Sequence, residues 1–330
     1  MRSFTHINAR TIDETLAILK KYKGKARINA GGTDLLGALK DEFLPGYPEA
    51  IINIKTIQGL DYIKEDGGTL KIGTLAKLAD IAKSSLIRNK WDVLAEAARS
   101  VASPQIRNAA TIGGNLCQDV RCWYYRYPLH IGGPIQCMRK GNGPCLAVRG
   151  DNRYHAIMGG KKCFAVCPSD TATALAALDA QVIITSPEGD RKISVTDFYN
   201  PLGNALRSNE IVREIEVPNI PDPTTQKFLK FTLRKSIDFA IVSVASVITV
   251  KDGVCIDARI ALGAIAPGPI RATRAEQSVI GQPIDVNRAK EAALLALEGT
   301  QPLSQNTYKV EIAKTLVKRS LVEDGANKEK

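Results

Sequence analysis

No apolar run in the chain approaches the roughly twenty residues that a helix needs to span a bilayer. The opening residues, Met1-Arg2-Ser3-Phe4-Thr5-His6, lead into neither an apolar core nor a small-residue cleavage site, so no secretory signal is expected. Aromatic residues make up only 5% of the chain and form no array with basic side chains on which bases could stack. The net charge of +11 would attract anions, yet Lys and Arg are spread along the chain without blocks, and a nucleic-acid partner is not expected. Also missing are a serine elbow, an H-E-x-x-H pair, a P-loop lysine and a G-x-G-x-x-G fingerprint. Their absence argues against hydrolysis and against a nicotinamide Rossmann domain. A cytoplasmic protein with reduced thiols and no membrane span is the expectation.

What is present is ordinary in bulk and unusual in two places. A chain of 330 residues, 44% hydrophobic and 24% charged, suits a globular protein of two domains. Thr11 to Lys23 has an N-cap threonine, acids in its first turn and lysines in its last, which predicts a helix. Further helices are expected over 34–40, 78–83, 91–100 and 171–179, with strands over 26–30, 50–54 and 181–185 and a hairpin around Asp66-Gly67-Gly68. Pro218 to Pro223 reads as a linker. Beyond it, strands over 226–233, 241–251 and 255–263 precede helices over 272–280, 287–297 and 306–321. Strands followed by helices indicate α+β.

The first unusual place is Ile28-Asn29-Ala30-Gly31-Gly32-Thr33-Asp34-Leu35-Leu36, a strand end running into a glycine turn and a helix start, with Thr33 and Asp34 placed to cap the helix. Glycines allow close backbone approach, and free amides at such a junction can donate to phosphate oxygens. Gly-Gly-Thr-Asp is also a good ordinary turn. A second glycine turn, Ala110-Thr111-Ile112-Gly113-Gly114-Asn115-Leu116, points to one extended phosphate-bearing ligand held from two sides.

The second is the stretch from Cys117 to about Val166, rich in Gly, Pro, Arg, Tyr and Cys and without apolar periodicity. A loop of that length needs its own staple. Of seven cysteines, Cys117, Cys122, Cys137, Cys145, Cys163 and Cys167 fall in this window, and in a reducing compartment metal ligation is favoured over disulfides. Cys122, Cys137, Cys145 and Cys163 sit among glycine-rich turns, separated by fourteen, seven and seventeen residues. Such turns can wrap thiolates around a metal centre, and the spacing lacks the paired C-x₂-C knuckles common in zinc sites. An iron-sulfur cluster, a zinc ion and reduced buried cysteines all remain open on spacing. His130 and His155 lie in the same loop, where a solvated or hydrogen-bonded histidine is the plainer account.

Several motifs in order carry a resemblance: Ala30-Gly31-Gly32-Thr33-Asp34-Leu35, Ser103 to Asn108 leading into Thr111 to Leu116, Pro168-Ser169-Asp170, Arg234 with Asp238-Phe239-Ala240, and Gly263-Ala264-Ile265-Ala266-Pro267. Together they resemble the FAD-binding medium subunit of the molybdenum hydroxylases, the xanthine dehydrogenase and carbon monoxide dehydrogenase flavoprotein family, over nearly the whole chain. The resemblance implies an α+β fold, with a two-part FAD-binding domain of the vanillyl-alcohol-oxidase type at 1–220 and a small α+β domain at 224–330. It implies that Ala30, Gly31, Gly32, Thr33, Asp34 and Leu35 hold the FAD pyrophosphate, that Thr111, Gly114 and Asn115 meet it from the second turn, and that Asp170 binds ribose or ribityl hydroxyls. No catalytic side chain is implied, since the flavin supplies the chemistry. The insertion at 117–167 is similar to that of the 4-hydroxybenzoyl-CoA reductase β subunit, which carries a [4Fe-4S] cluster. By that similarity Cys122, Cys145 and Cys163 are ligands; Tyr154 stands where the remaining cysteine is expected, and Cys137 substitutes, with Cys117 and Cys167 as alternates. The implied role is an electron-transfer subunit working with a molybdopterin-containing large subunit, a small [2Fe-2S] subunit and an external donor or acceptor such as ferredoxin or NAD(P).

Overall fold

A computed structural model describes residues 1–234 and 237–322 of the chain. The last eight residues of the expected C-terminal domain lie outside the described residues.

The chain begins with β1 (Thr5–Asn8), α1 (Ile12–Tyr22), β2 (Ala26–Asn29), α2 (Leu35–Asp41) and β3 (Ala50–Asn53). The three strands form a parallel sheet in the order β1-β3-β2, with Ile7, Ile52 and Ile28 side by side. α1 covers it because Leu16 and Leu19 lie on one face at helical spacing. The Thr11 hydroxyl accepts from the Glu14 amide at 3.0 Å, as the sequence predicts.

A second part follows. The hairpin β4 (Ile63–Asp66) and β5 (Thr69–Gly73) leads to six helices: α3 (Leu78–Lys83), α4 (Ser85–Lys90), α5 (Asp92–Ser100), α6 (Pro104–Ala109), α7 (Ile112–Cys117) and, after the insertion, α8 (Asp170–Ala177). Then come β6 (Gln181–Ser186), β7 (Gly189–Ser194), the short pair β8 (Tyr199–Asn200) and β9 (Gly203–Asn204), and β10 (Ile211–Val217). An antiparallel sheet runs β4-β5-β10-β6-β7. Its core is centred on Trp91, which is fully buried and donates its indole N–H to Pro218 O at 2.9 Å.

The remaining elements are β11 (Thr224–Phe231), β12 (Val242–Lys251), β13 (Val254–Gly263), β14 (Ile270–Arg271), α9 (Thr273–Val279), α10 (Val286–Ala296) and α11 (Tyr308–Leu321). The strands form one antiparallel sheet in chain order, with the helices packed on it. On the other side, α5 and α8 pack on each other and on this sheet, α5 against β11 and α8 against β12 and β13. They join the second and third parts. No helix among the described residues is long and apolar enough to cross a membrane.

Among the departures from the sequence reading, three bear on the core and the glycine segments. β10 is the central strand of its sheet although nothing was expected there; its charged residues Arg213, Glu214 and Glu216 disguise a strand in which Ile211, Val212, Ile215 and Val217 are buried. The second glycine turn is the short helix α7, because Thr111 caps it and Gly113 fits against Thr74, whose hydroxyl would lie 1.9 Å from any added Cβ. Asp34 occupies the N-cap position of α2 but makes no side-chain cap bond.

Candidate functional site

The two glycine segments meet. A Cβ on Gly31 would lie 2.3 Å from Ala109 O and 2.8 Å from Ala110 Cα, so only glycine lets β2 run directly against the approach to α7. Gly32 has φ +72°, the left-handed conformation that turns the chain into α2. Among the described residues no acceptor takes the amides of Gly31, Gly32, Thr33, Asp34 or Leu35. Ala30, Gly31, Gly32, Asp34 and Leu35 are half-buried and Thr33 is exposed, leaving a run of unpaired donors at an accessible turn.

Across from it, Thr111 Oγ1 accepts from the Gly114 amide at 3.2 Å, and Gly114 is exposed on a helix otherwise mostly buried. Asn115 is buried, its Oδ1 accepting from Ser169 Oγ at 2.6 Å and Thr171 Oγ1 at 2.7 Å. The start of α8 is thereby tied to α7. Asp170 stands beside this group but faces the other way. Its carboxylate forms a buried ion pair with Lys230 at 2.7 Å and is 3.5 Å from Ser100 Oγ, joining α8 to β11. Burial pushes its carboxyl up, and Lys230 opposes that.

Asp34 shows why the expected cap is not made. One carboxylate oxygen binds the guanidinium groups of Arg121 and, at 2.6 Å, Arg126; the other accepts from the Asp119 amide at 2.8 Å. Two charge-assisted bonds outweigh one helix amide. Burial raises the carboxyl's pKa, but these partners more than reverse it and hold Asp34 below the usual range. Arg121, Arg126 and Asp119 were not singled out from sequence; the arginine richness of the loop was the available signal.

The four expected cysteine ligands come together. Cys122, Cys137, Cys145 and Cys163 line a single small cavity with Tyr124, Tyr125, Met138 and Arg139. Cys117 lies exposed on α7, Cys167 lies in the core around Trp91, and Tyr154 packs on Trp123 with rings 5.6 Å apart; none lines the cavity. All seven cysteines are free thiols. Burial pushes Cys122 up to about 11 and Cys163 above its ordinary value. Lys140 Nζ is buried nearby with no hydrogen-bond partner, over the Tyr125 ring at 5.7 Å. His130 is exposed, whereas His155 is buried with Nε2 3.3 Å from Cys122 Sγ. Among the described residues no group of three or more His, Cys, Asp or Glu side chains is arranged to hold a metal ion.

The parallel sheet thus ends at an accessible, amide-rich turn that packs against a second glycine segment, an arrangement suited to an extended phosphate-bearing ligand. Residues 2–220 match the family described as the FAD binding domain in molybdopterin dehydrogenase, and residues 227–323 match the CO dehydrogenase flavoprotein C-terminal domain. The chain belongs to this family of FAD-binding subunits of molybdenum hydroxylase-type oxidoreductases. It is 34% identical to the aldehyde oxidoreductase FAD-binding subunit PaoB of Escherichia coli, covering 98% of each chain. The nicotinate dehydrogenase FAD-subunit of Eubacterium barkeri is 28% identical, over 93% of this chain and 87% of that one. Among solved structures, carbon monoxide dehydrogenase from Hydrogenophaga pseudoflava lacking the Mo-pyranopterin moiety superposes with a TM-score of 0.77 at 26% identity, covering 97% of this chain and 96% of its counterpart. The fold is thus the expected α+β one, an FAD-binding domain in two parts followed by a small C-terminal domain. The residues fit the flavin: the amides of Gly31 to Leu35 are unpaired at an accessible turn, where an anionic group could take them, and a side chain at Gly31 would keep that turn from its approach to α7.

Proposed function

We propose that this chain is an electron-relay subunit that binds FAD between Ala30–Leu35 and Thr111–Asn115 and one [4Fe-4S] cluster within Cys122, Cys137, Cys145 and Cys163. The observation that carries the reading is the single cavity shared by those four cysteines, a short network away from the amide-rich turn. A cluster brings its own iron and sulfide, so it needs thiolates around a space, whereas zinc needs them converging on a point. The alternative is a structural zinc module in a flavin-free scaffold. Arg139 and the buried Lys140 ammonium offset the negative charge that four thiolates bring.

When bound, FAD supplies the exchange between one- and two-electron transfers; the protein orients it and shields it from water. On this reading Gly31 to Leu35 donate amides to the pyrophosphate, and Thr111, Gly114 and Asn115 form the opposite wall. Asp170 acts from behind that wall, fixing α8 through Lys230 so that Ser169 can hold Asn115. Electrons pass between an external partner, such as ferredoxin or NAD(P), and a small [2Fe-2S] subunit and molybdopterin-containing large subunit. The insertion is of the kind seen in the 4-hydroxybenzoyl-CoA reductase β subunit, and the substrate is selected on the large subunit.

The test is reconstitution of the full chain with FAD, iron and sulfide under reducing conditions, followed by an absorption spectrum and metal and sulfide analysis. Flavin together with equal amounts of iron and acid-labile sulfide is expected, with iron lost in Cys145→Ser. Zinc without sulfide, and no flavin uptake, would reject the proposal in favour of the scaffold.

A further inference from the structure

The flavin turn and the cysteine cavity are joined by one continuous chain of charged and hydrogen-bonded groups. Asp34, at the end of the turn, takes the Asp119 amide at 2.8 Å. The Asp119 carboxylate in turn takes Arg139 Nη2 at 3.1 Å on one oxygen and the Tyr125 hydroxyl at 2.6 Å on the other. Arg139 and Tyr125 both line the cysteine cavity. Arg126 spans the same gap, bonding Asp34 at 2.6 Å, Asp119 O at 3.1 Å and Val120 O at 2.6 Å. Aromatic rings cover the guanidinium groups, Phe43 lying 4.8 Å from Arg126 and Tyr125 lying 5.4 Å from Arg139. The Asp119 side chain is 25% exposed and that of Arg139 11%, so water screens these links weakly and each bond depends on its neighbours.

We infer that Asp119 is a positioning residue that couples the two cofactor sites, so that filling the cysteine cavity tightens the flavin site and binding flavin stabilises the cysteine site. The inference rests on the FAD and cluster assignments above. Its physical basis is that the backbone and side chain of one residue face different sites. The amide of Asp119 orients the carboxylate that ends the glycine turn, while its own carboxylate holds the arginine beside the cavity. A core held by four thiolates is net negative as a whole, so it attracts and orders Arg139 while the bond to Asp119 is kept, and the order passes to Asp119 and through it to Asp34. Coupling of this sort is reciprocal by thermodynamic linkage. Proximity alone does not establish it, so the measurement must be of coupling itself.

The experiment measures FAD affinity of the full chain by flavin fluorescence, in iron-loaded protein and after chelation, for the wild type, Asp119→Asn, Tyr125→Phe and Arg139→Gln. In the wild type, chelation should weaken FAD binding about tenfold, within the usual range for coupled sites. In Asp119→Asn the two forms should bind FAD equally, and Tyr125→Phe, which removes a single hydroxyl from Asp119, should give a smaller ratio than the wild type. If Asp119→Asn does not fold, Tyr125→Phe and Arg139→Gln carry the same comparison. A wild-type ratio of one, or a ratio unchanged in the variants, overturns the coupling while leaving both cofactor assignments standing. A wild-type chain that takes up FAD but no iron overturns the cluster assignment, and the coupling with it.

Discussion

In the second part of the fold, β5, β6 and β10 share ladders of backbone bonds and bury Leu70, Ile72, Val182, Ile184, Ile215 and Val217, whereas residues 118–167 contain no strand or α-helix and only three short 3-10 turns. The insertion is fastened by side chains that reach its backbone. Asn152 Nδ2 bonds Ala147 O at 3.0 Å while its Oδ1 takes the Gln305 amide at 2.9 Å. Asn306 Nδ2 reaches His155 O at 3.1 Å, and Lys309 Nζ reaches His155 O at 3.1 Å and Ala264 O at 2.6 Å. Buried carbonyls must be paired, and where no ladder pairs them a few polar side chains do. Stability is therefore spread over many residues in the sheet and concentrated in few in the insertion.

That contrast can be broken at either end. Trp91→Ala removes the largest wholly buried side chain and strands Pro218 O, and should cost about 3–5 kcal/mol in denaturant unfolding, across all probes together. A loss under about 1 kcal/mol would mean that the core around Trp91 is not a cooperative unit. Lys309→Met should cost less, about 1–3 kcal/mol, because it takes the side-chain donor from Ala264 O and leaves His155 O to Asn306 alone. Its signature should be local, with amide exchange rising first around Ala156 and Ile157.

Lys309 also has a pH signature. Burial pushes its amine down to about 7, against 10.5 in an ordinary lysine. Between those values the unfolded chain binds the proton that the folded chain has released, so this group makes stability rise with pH across that window. Lys309→Met should flatten the rise when unfolding free energy is measured from pH 7 to 10. An unchanged slope would show that the two carbonyls keep the amine charged.

Elements with their own period or caps were legible in the sequence. α1 shows its Thr11 cap, α3 its bounds at Leu78 and Lys83, and the C-terminal strands and helices their order. α6 was missed although Ser103-Pro104 is a readable start, Ser103 Oγ accepting from the Ile106 amide at 3.4 Å. β1 and β10 were missed because neighbouring strands, not their own pattern, make them strands. At the site, glycine pairs and cysteines could be read because each residue type is rare and chemically particular. The links between them could not: Asp34, Asp119, Arg126 and Arg139 look like ordinary surface charges until a fold closes ranges of up to 92 residues. Sequence likewise shows an aspartate at 170 without showing that Lys230, sixty residues later, claims its carboxylate.

The smallest effect is expected where the two regions touch. Asp34→Asn keeps the shape and one acceptor oxygen but removes the charge that draws in Arg121 and Arg126, and because Arg121 keeps Gln118 and Arg126 keeps the Val120 and Asp119 carbonyls, the loss at pH 7 should be about 1 kcal/mol. The wild-type carboxyl titrates below its ordinary 3.8, so the unfolded chain protonates first as the pH falls. The wild type's advantage over Asp34→Asn is therefore complete above about pH 5, shrinks below the ordinary value and is gone once the folded carboxyl is also protonated. Unfolding both proteins in denaturant from pH 6 to 2 would show the curves converging. Curves that stay parallel would place the contribution of Asp34 in the Asp119 amide bond alone. The turn would then be held to the insertion by backbone geometry, as the sheet is, and not by charge.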